Sequence, residues 1–238
     1  MTRALISAIT ATFTVFSMIL SACGIVAPQP AAAESYDYSQ PVPAGDLMGE
    51  EWFDDSAIIG HSLMEGFEGF AGLYSNVTYF TSTGLSAAGT LGFSKFDRPD
   101  GGTGTLKTGL SQREFSKFYV MLGINEISTS NSRFKNNMKA IVDTIRESQS
   151  DAPIYILAIT PTTEKKSASS PYNKDNILRL NGVLQELCEE EKCYYVDLFE
   201  CFADENGYLP AEKSTDGVHL AAGQYKVMAD YLKSHTVQ

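Results

Sequence analysis

Four short stretches carry the side chains able to do covalent chemistry: Gly60-His61-Ser62-Leu63, Gly84-Leu85-Ser86-Ala87, Gly123-Ile124-Asn125-Glu126 and Asp216-Gly217-Val218-His219. A serine hydroxyl becomes a useful nucleophile only when a base takes its proton. Histidine is the side chain suited to that task near neutral pH, and the chain has three. His235 sits in a polar C-terminal tail and is expected to be solvated. His61 is the sequence neighbour of Ser62, and adjacent side chains in extended backbone diverge, so it is awkwardly placed to serve that hydroxyl. His219 has Asp216 three residues earlier, close enough in a turn to orient the ring and stabilise an imidazolium. The plainer reading of Asp216 is a capping residue before a helix. Alone, the pair would be read that way; beside Ser62, Gly84 and Asn125 it is read as a site.

The elements that must position these stretches are legible as apolar runs. Ser56–Ile59, Asn76–Phe80, Lys117–Leu122, Ile154–Ile159 and Cys193–Leu198 are continuous rather than alternating, as expected of strands covered on both faces of a parallel sheet. Helical periodicity lies between and after them. Phe134–Ser148 places Phe134, Met138, Ile141, Val142 and Ile145 on one face; Tyr172–Glu191 does the same with Ile177, Leu180, Leu184 and Leu187; Ala221–Ser234 does so with Tyr225, Met228, Ala229 and Leu232. Five strands separated by helical segments predict a three-layer α/β/α fold with a five-stranded parallel sheet. The glycine-rich stretch 97–110 reads as a loop inserted before the third strand. In such sheets ligands bind beyond the carboxyl ends of the strands. The first three polar stretches each follow a strand, and the fourth precedes the last helix.

Taken together, the four stretches resemble the motif blocks of the SGNH hydrolases, also called GDSL esterases. Gly60-His61-Ser62-Leu63 stands for Gly-Asp-Ser-Leu, Gly84 for the second-block glycine, Gly123-Ile124-Asn125-Glu126 for Gly-x-Asn-Asp, and Asp216-Gly217-Val218-His219 for Asp-x-x-His. Each motif is weak alone; the four in order, spanning about Phe53 to Tyr231, are specific. The resemblance implies Ser62 as nucleophile, His219 as base and Asp216 as its orienting partner. It also implies an oxyanion hole made of the Ser62 and Gly84 backbone N–H groups and the Asn125 amide. Such donors are each worth about 3 kcal/mol in the transition state. No metal or organic cofactor is implied. The sequence departs from the pattern twice. His61 replaces the family Asp, so it could tune Ser62, touch substrate or mark weakened activity. Glu126 replaces an Asp, keeping the charge on a longer arm.

The 238 residues carry 18 basic and 29 acidic side chains, a formal charge of −11, with 43% hydrophobic and 20% charged residues. This composition supports a real core and excludes a chain disordered throughout. Without a basic footprint, nucleic acid is not an expected partner. Residues 1–22 read as an export signal: an early Arg3, an apolar stretch from Ala4 to Leu20, then small residues. Leu20-Ser21-Ala22-Cys23 resembles the bacterial lipobox, which implies a lipid on Cys23 and a membrane as partner; Ala31-Ala32-Ala33 is a competing cleavage site. Residues 23–45, rich in Pro and Ala, read as a solvated tether to a domain over 46–238. Cys188, Cys193 and Cys201 allow at most one bridge, and three reduced thiols are an equal reading. A zinc site is disfavoured because no histidine lies near them.

The resulting expectation is an extracytoplasmic, lipid-anchored serine esterase acting on carboxylic esters, with acylated saccharides a substrate class compatible with an envelope location. Two rivals use the same residues: an O-acyltransferase with the same site, and a non-catalytic envelope-binding lipoprotein descended from an esterase.

Overall fold

The computed structural model describes residues 36–73, 76–92 and 94–237. The export signal, Cys23 and the Ala31–Ala33 site lie outside the described residues. Among the described residues, no helix is long and apolar enough to cross a membrane.

The strands are β1 (Ser56–Gly60), β2 (Thr78–Thr81), β3 (Phe96–Asp97), β4 (Thr103–Gly104), β5 (Lys117–Met121), β6 (Ile154–Leu157) and β7 (Tyr194–Val196). Five of them form one all-parallel sheet in the order β2-β1-β5-β6-β7, as the apolar runs predict. Every residue of β1, β5 and β6 is buried, which is why these runs do not alternate. The chain leaves β1 in one direction to form β2 and returns past it to form β5, so the strand order reverses between β1 and β5. Gly60 at the end of β1 pairs with Thr81 on one side and Met121 on the other. The carboxyl ends of three strands are therefore level, and the segments that follow them emerge side by side.

The helices are α1 (Ser62–Phe70), α2 (Ala87–Gly92), α3 (Leu106–Leu110), α4 (Asn131–Ser148), α5 (Glu164–Ser169), α6 (Lys174–Glu191), α7 (Leu198–Phe202) and α8 (Ala222–Ser234). α1 packs with α8, and α4 packs with α6 and α2, giving the two helical layers. The apolar faces read from periodicity are the buried ones: Phe134, Met138, Ile141, Val142 and Ile145 on α4, Ile177, Leu180, Leu184 and Leu187 on α6, and Tyr225, Met228, Ala229 and Leu232 on α8. Each of the larger aliphatic side chains contributes about 1.5–3 kcal/mol by leaving water. α6 begins where Asn173 accepts the Asn176 N–H at 2.9 Å and ends at Lys192 in the left-handed conformation.

Two sequence expectations need correction. Residues 36–45 are not a solvated tether, and the compact unit begins at Tyr36 rather than Asp46. The Val42 N–H donates to Tyr195 O at 2.8 Å and the Gly45 N–H to Ser234 O at 2.7 Å, and Val42 is 2% exposed. Tyr36 packs edge-on against the Tyr194 ring, centroids 5.0 Å apart, and Tyr38 lies tilted against it at 5.3 Å. β7 is an edge strand, and this segment covers its exposed edge. Pro41 and Pro43 are tolerated there because the pairing is one-sided. The stretch 97–110 is not a plain loop either. It holds the antiparallel β3/β4 pair and α3, anchored by buried Phe96, Leu106 and Leu110.

Candidate active site

Ser62 is the first residue of α1, directly beyond β1. A helix leaves its first N–H groups without intrahelical partners, and they carry the positive end of the helix dipole. His61 is the N-cap: its Nδ1 accepts the Leu63 N–H at 3.3 Å. The residue that looked like a departure thus supplies a side-chain acceptor at the mouth of α1, the task a carboxylate performs at such positions. His61 is fully buried, and burial, aided by nearby His219, pushes its imidazole down to about 3. It is neutral, with Nδ1 accepting, so the proton sits on Nε2, which has no hydrogen-bond partner among the described residues. His61 is not the base for Ser62.

The imidazole within reach of the Ser62 hydroxyl is that of His219. Ser62 Oγ lies 2.8 Å from His219 Nε2, although 157 residues separate them in sequence. On the far side of the ring, His219 Nδ1 lies 2.7 Å from Asp216 Oδ2. The other carboxylate oxygen accepts the Val218 and His219 N–H groups at 2.9 and 2.8 Å, so the Asp216–His219 turn is closed by its own aspartate. Partial burial pushes the Asp216 carboxyl up, but the hydrogen bonds from the His219 backbone and ring and from Val218 outweigh it and hold it at about 2. Asp216 does not cap α8, whose N-cap is Ala221 with no side-chain bond. With an ionised Asp216 accepting Nδ1–H, Nε2 presents its lone pair to the serine hydroxyl.

The loops after β2 and β5 close the pocket. Gly84 has φ +74, and a Cβ there would meet no atom within 4 Å, so backbone conformation alone calls for glycine. Thr83, beside it, donates from Oγ1 to Glu65 Oε2 of α1 at 2.5 Å. Asn125 lies in a 3-10 turn, Ile124–Glu126, and its Nδ2 donates to Leu85 O at 3.0 Å. An amide nitrogen has two N–H groups, leaving one to face a ligand. Glu126 is buried and accepts the Ala87 N–H at 2.7 Å at the start of α2. It ties the Asn125 turn to the Gly84 loop rather than lining the pocket, so it acts on the site through its neighbours.

The cavity over Ser62 is about 250 Å³ and is lined by His61, Ser62, Gly84, Asn125, Asp216 and His219 among others. It also contains Lys166 and Tyr172, which the sequence reading missed. Both lie well past the end of β6, beyond the reach of the strand-end rule. His235 is elsewhere, its ring stacked on Tyr231. Cys188, Cys193 and Cys201 are free thiols, with burial as the first cause pushing each one up. Among the described residues, no group of three or more His, Cys, Asp or Glu is placed to hold a metal ion.

Residues 58–227 match the GDSL-like Lipase/Acylhydrolase family. The chain belongs to that family. As a GDSL-like acylhydrolase it is a carboxylic ester hydrolase with an ester as its substrate. Solved structures share its fold. A Streptococcus pneumonia protein named after platelet activating factor is 23% identical over 76% of this chain and 82% of its own, with a TM-score of 0.64. A GDSL-like lipase from Bacteroides thetaiotaomicron is 13% identical over 79% and 89%, with a TM-score of 0.58. An acetyl-xylooligosaccharide esterase from Geobacillus Stearmophilus is 12% identical over 78% and 95%, with a TM-score of 0.57. Comparison with curated proteins found no match.

Proposed function

We propose that this acylhydrolase works through Ser62, His219 and Asp216 and removes short acyl groups from saccharides outside the cytoplasmic membrane, held there by a lipid on Cys23. The observation that carries the catalytic part is the hydrogen-bonded line from Ser62 Oγ to His219 at 2.8 Å and on to Asp216 at 2.7 Å. Ser62 Oγ attacks the ester carbonyl as its proton passes to His219 Nε2. Asp216 holds the ring and offsets the imidazolium charge. The oxyanion forms against the Ser62 and Gly84 N–H groups and the free N–H of Asn125. Collapse breaks the bond to the alcohol, which leaves with the proton from His219. Water, deprotonated by His219, then cleaves the acyl-enzyme and releases the acid.

The small cavity at Ser62 supports a short acyl group. The saccharide part of the reading draws on two proteins of the same fold, an acetyl xylan esterase and an acetyl-xylooligosaccharide esterase. The location draws on Leu20-Ser21-Ala22-Cys23 alone. Turnover of a short-chain aryl ester by the purified chain tests the catalytic part. Ser62→Ala is expected to lower kcat by at least about 10⁴, and equal hydrolysis by parent and variant would refute it. Mass spectrometry of the mature N-terminus in a bacterial host tests the anchor: a diacylated Cys23 is expected, and a free N-terminus at Glu34 would refute it.

A further inference from the structure

The cavity over Ser62, at about 250 Å³, is smaller than the roughly 300–1,000 Å³ of pockets that enclose a whole small-molecule ligand. It has room for one end of an ester only. Beside it runs a larger groove of about 590 Å³. Lys166 and Asp216 line both spaces, so the two meet at the base-bearing side of the site. One wall of the groove is α5. The other is the segment 204–217, which ends in the Asp216 turn itself. The walls are locked together by two backbone hydrogen bonds, Leu209 N–H to Thr162 O and Thr163 N–H to Gly217 O, each 3.0 Å. The groove is a built part of the fold.

We propose that this groove receives the alcohol portion of the ester, and that this portion is a neutral oligosaccharide. The proposal rests on the esterase reading above. Its lining is mixed. Ser169, Thr215, Lys165 and Asp204 present donors and acceptors, and Tyr208 presents an aromatic ring. Asp204 commits Oδ1 to the Asn206 and Tyr208 N–H groups at 2.9 Å each, which fixes the loop and leaves its second oxygen to accept. The Lys174 ammonium sits 4.7 Å from the Tyr208 ring centroid and fixes that ring in place. A lipid chain would bury these polar groups without partners, at a cost that grows with each one. A polyanion would meet the carboxylates of Glu164, Asp204 and Asp216 against only Lys165 and Lys166. A chain of hydroxyls satisfies donors and acceptors together and offers C–H faces to the aromatic ring. Because the groove opens from the Asp216 side, its occupant lies where His219 returns a proton to the leaving oxygen.

The test compares p-nitrophenyl acetate with an O-acetylated xylo-oligosaccharide on the full chain. Ser169 is exposed, bonds among the described residues to its own helix through Lys165 O, and does not line the Ser62 cavity. Ser169→Trp therefore fills the groove without touching the reacting atoms, and Tyr208→Ala removes the ring. Each is expected to lower kcat/KM for the oligosaccharide ester roughly tenfold, mainly through KM, as loss of one anchoring contact does, with p-nitrophenyl acetate unchanged. Equal kinetics on the oligosaccharide, or an equal fall on both esters, would overturn the proposal. Turnover of the aryl ester but not of the oligosaccharide ester would overturn the occupant and leave the esterase reading intact. If neither ester is cleaved, the esterase reading fails, and calorimetry with the unacetylated oligosaccharide decides the groove. Binding that Ser169→Trp abolishes would uphold it as a saccharide site, and no binding to the parent would end it.

Discussion

Replacing Asp216 by Asn separates a catalytic carboxylate from one that merely shapes a turn. Asn keeps an oxygen to accept the Val218 and His219 N–H groups, which the native Oδ1 holds at 2.9 and 2.8 Å. What it loses is the charge 2.7 Å from His219 Nδ1, and it presents a donor where an acceptor stood. Between charge centres about 4 Å apart the attraction is about 1 kcal/mol in bulk water and about 4 kcal/mol near a protein surface. The Asp216 side chain is 53% exposed, so a value between these, about 2–3 kcal/mol, applies to the imidazolium formed in the transition state. That is a loss of about 30- to 150-fold. The donor facing Nδ1 also favours the wrong tautomer, and a fully buried aspartate in such a constellation is worth about 10⁴. The expected fall in kcat/KM on an aryl acetate is therefore about 10³, inside that ceiling. Stability should change little. The carboxyl is held at about 2 against an ordinary 3.8, about 2.5 kcal/mol before allowance for exposure and about 1 after it. Because the folded value is the lower one, this stabilisation is present above pH 4 and disappears as pH falls toward 2. Parent and variant should differ by about 2–4 °C in Tm at pH 7 and converge in acid. Activity within threefold of the parent, with a large fall in Tm, would refute the catalytic reading and leave Asp216 as a residue that only closes its own turn.

Asn125→Ala removes the proposed oxyanion donor, and kcat should fall about 10²–10³-fold with KM nearly unchanged; an effect confined to KM would argue for a substrate-binding role instead. Glu126→Ala strands the buried Ala87 N–H, costing about 1–3 kcal/mol in urea unfolding and lowering kcat by loosening the Asn125 turn. Glu126→Gln, which keeps an acceptor, should recover most of both. Burial and His219 push His61 down to about 3 against an ordinary 6.5, so the folded state resists a proton that the unfolded chain accepts. Its cost is absent above pH 6.5 and grows as pH falls. At pH 4.5 the parent should have lost about 2–3 kcal/mol more stability than His61→Asn, relative to pH 7; parallel pH profiles would show that His61 is not buried neutral.

The parts legible in the sequence were those written by periodicity. The α4 face from Phe134 to Ile145 and the uniformly apolar β1 and β5 could be read because burial on a helix face or both sheet faces dictates residue type directly. Ser62, His219 and Asp216 were legible as a set only through their order along the chain; their meeting depends on the packing of α8, which follows the Asp216–His219 turn, against α1, which begins at Ser62. The role of His61 was not legible. A histidine beside a serine reads as chemistry until its Nδ1 is seen accepting the Leu63 N–H from a fully buried ring. The packing of residues 36–45 was hidden because a strand-edge cover needs extended backbone and a few contacts, such as Val42 and Tyr36, but no periodic pattern. Lys166 and Tyr172 reach the pocket from beyond a strand end and carry no local motif.

The central claim is that one hydroxyl is made reactive by one imidazole. Trapping with a fluorophosphonate followed by peptide mass spectrometry tests it most directly. The account predicts a single adduct on Ser62, absent in Ser62→Ala and formed far more slowly in His219→Ala, whereas labelling that avoids Ser62 or proceeds at the parent rate without His219 would contradict it.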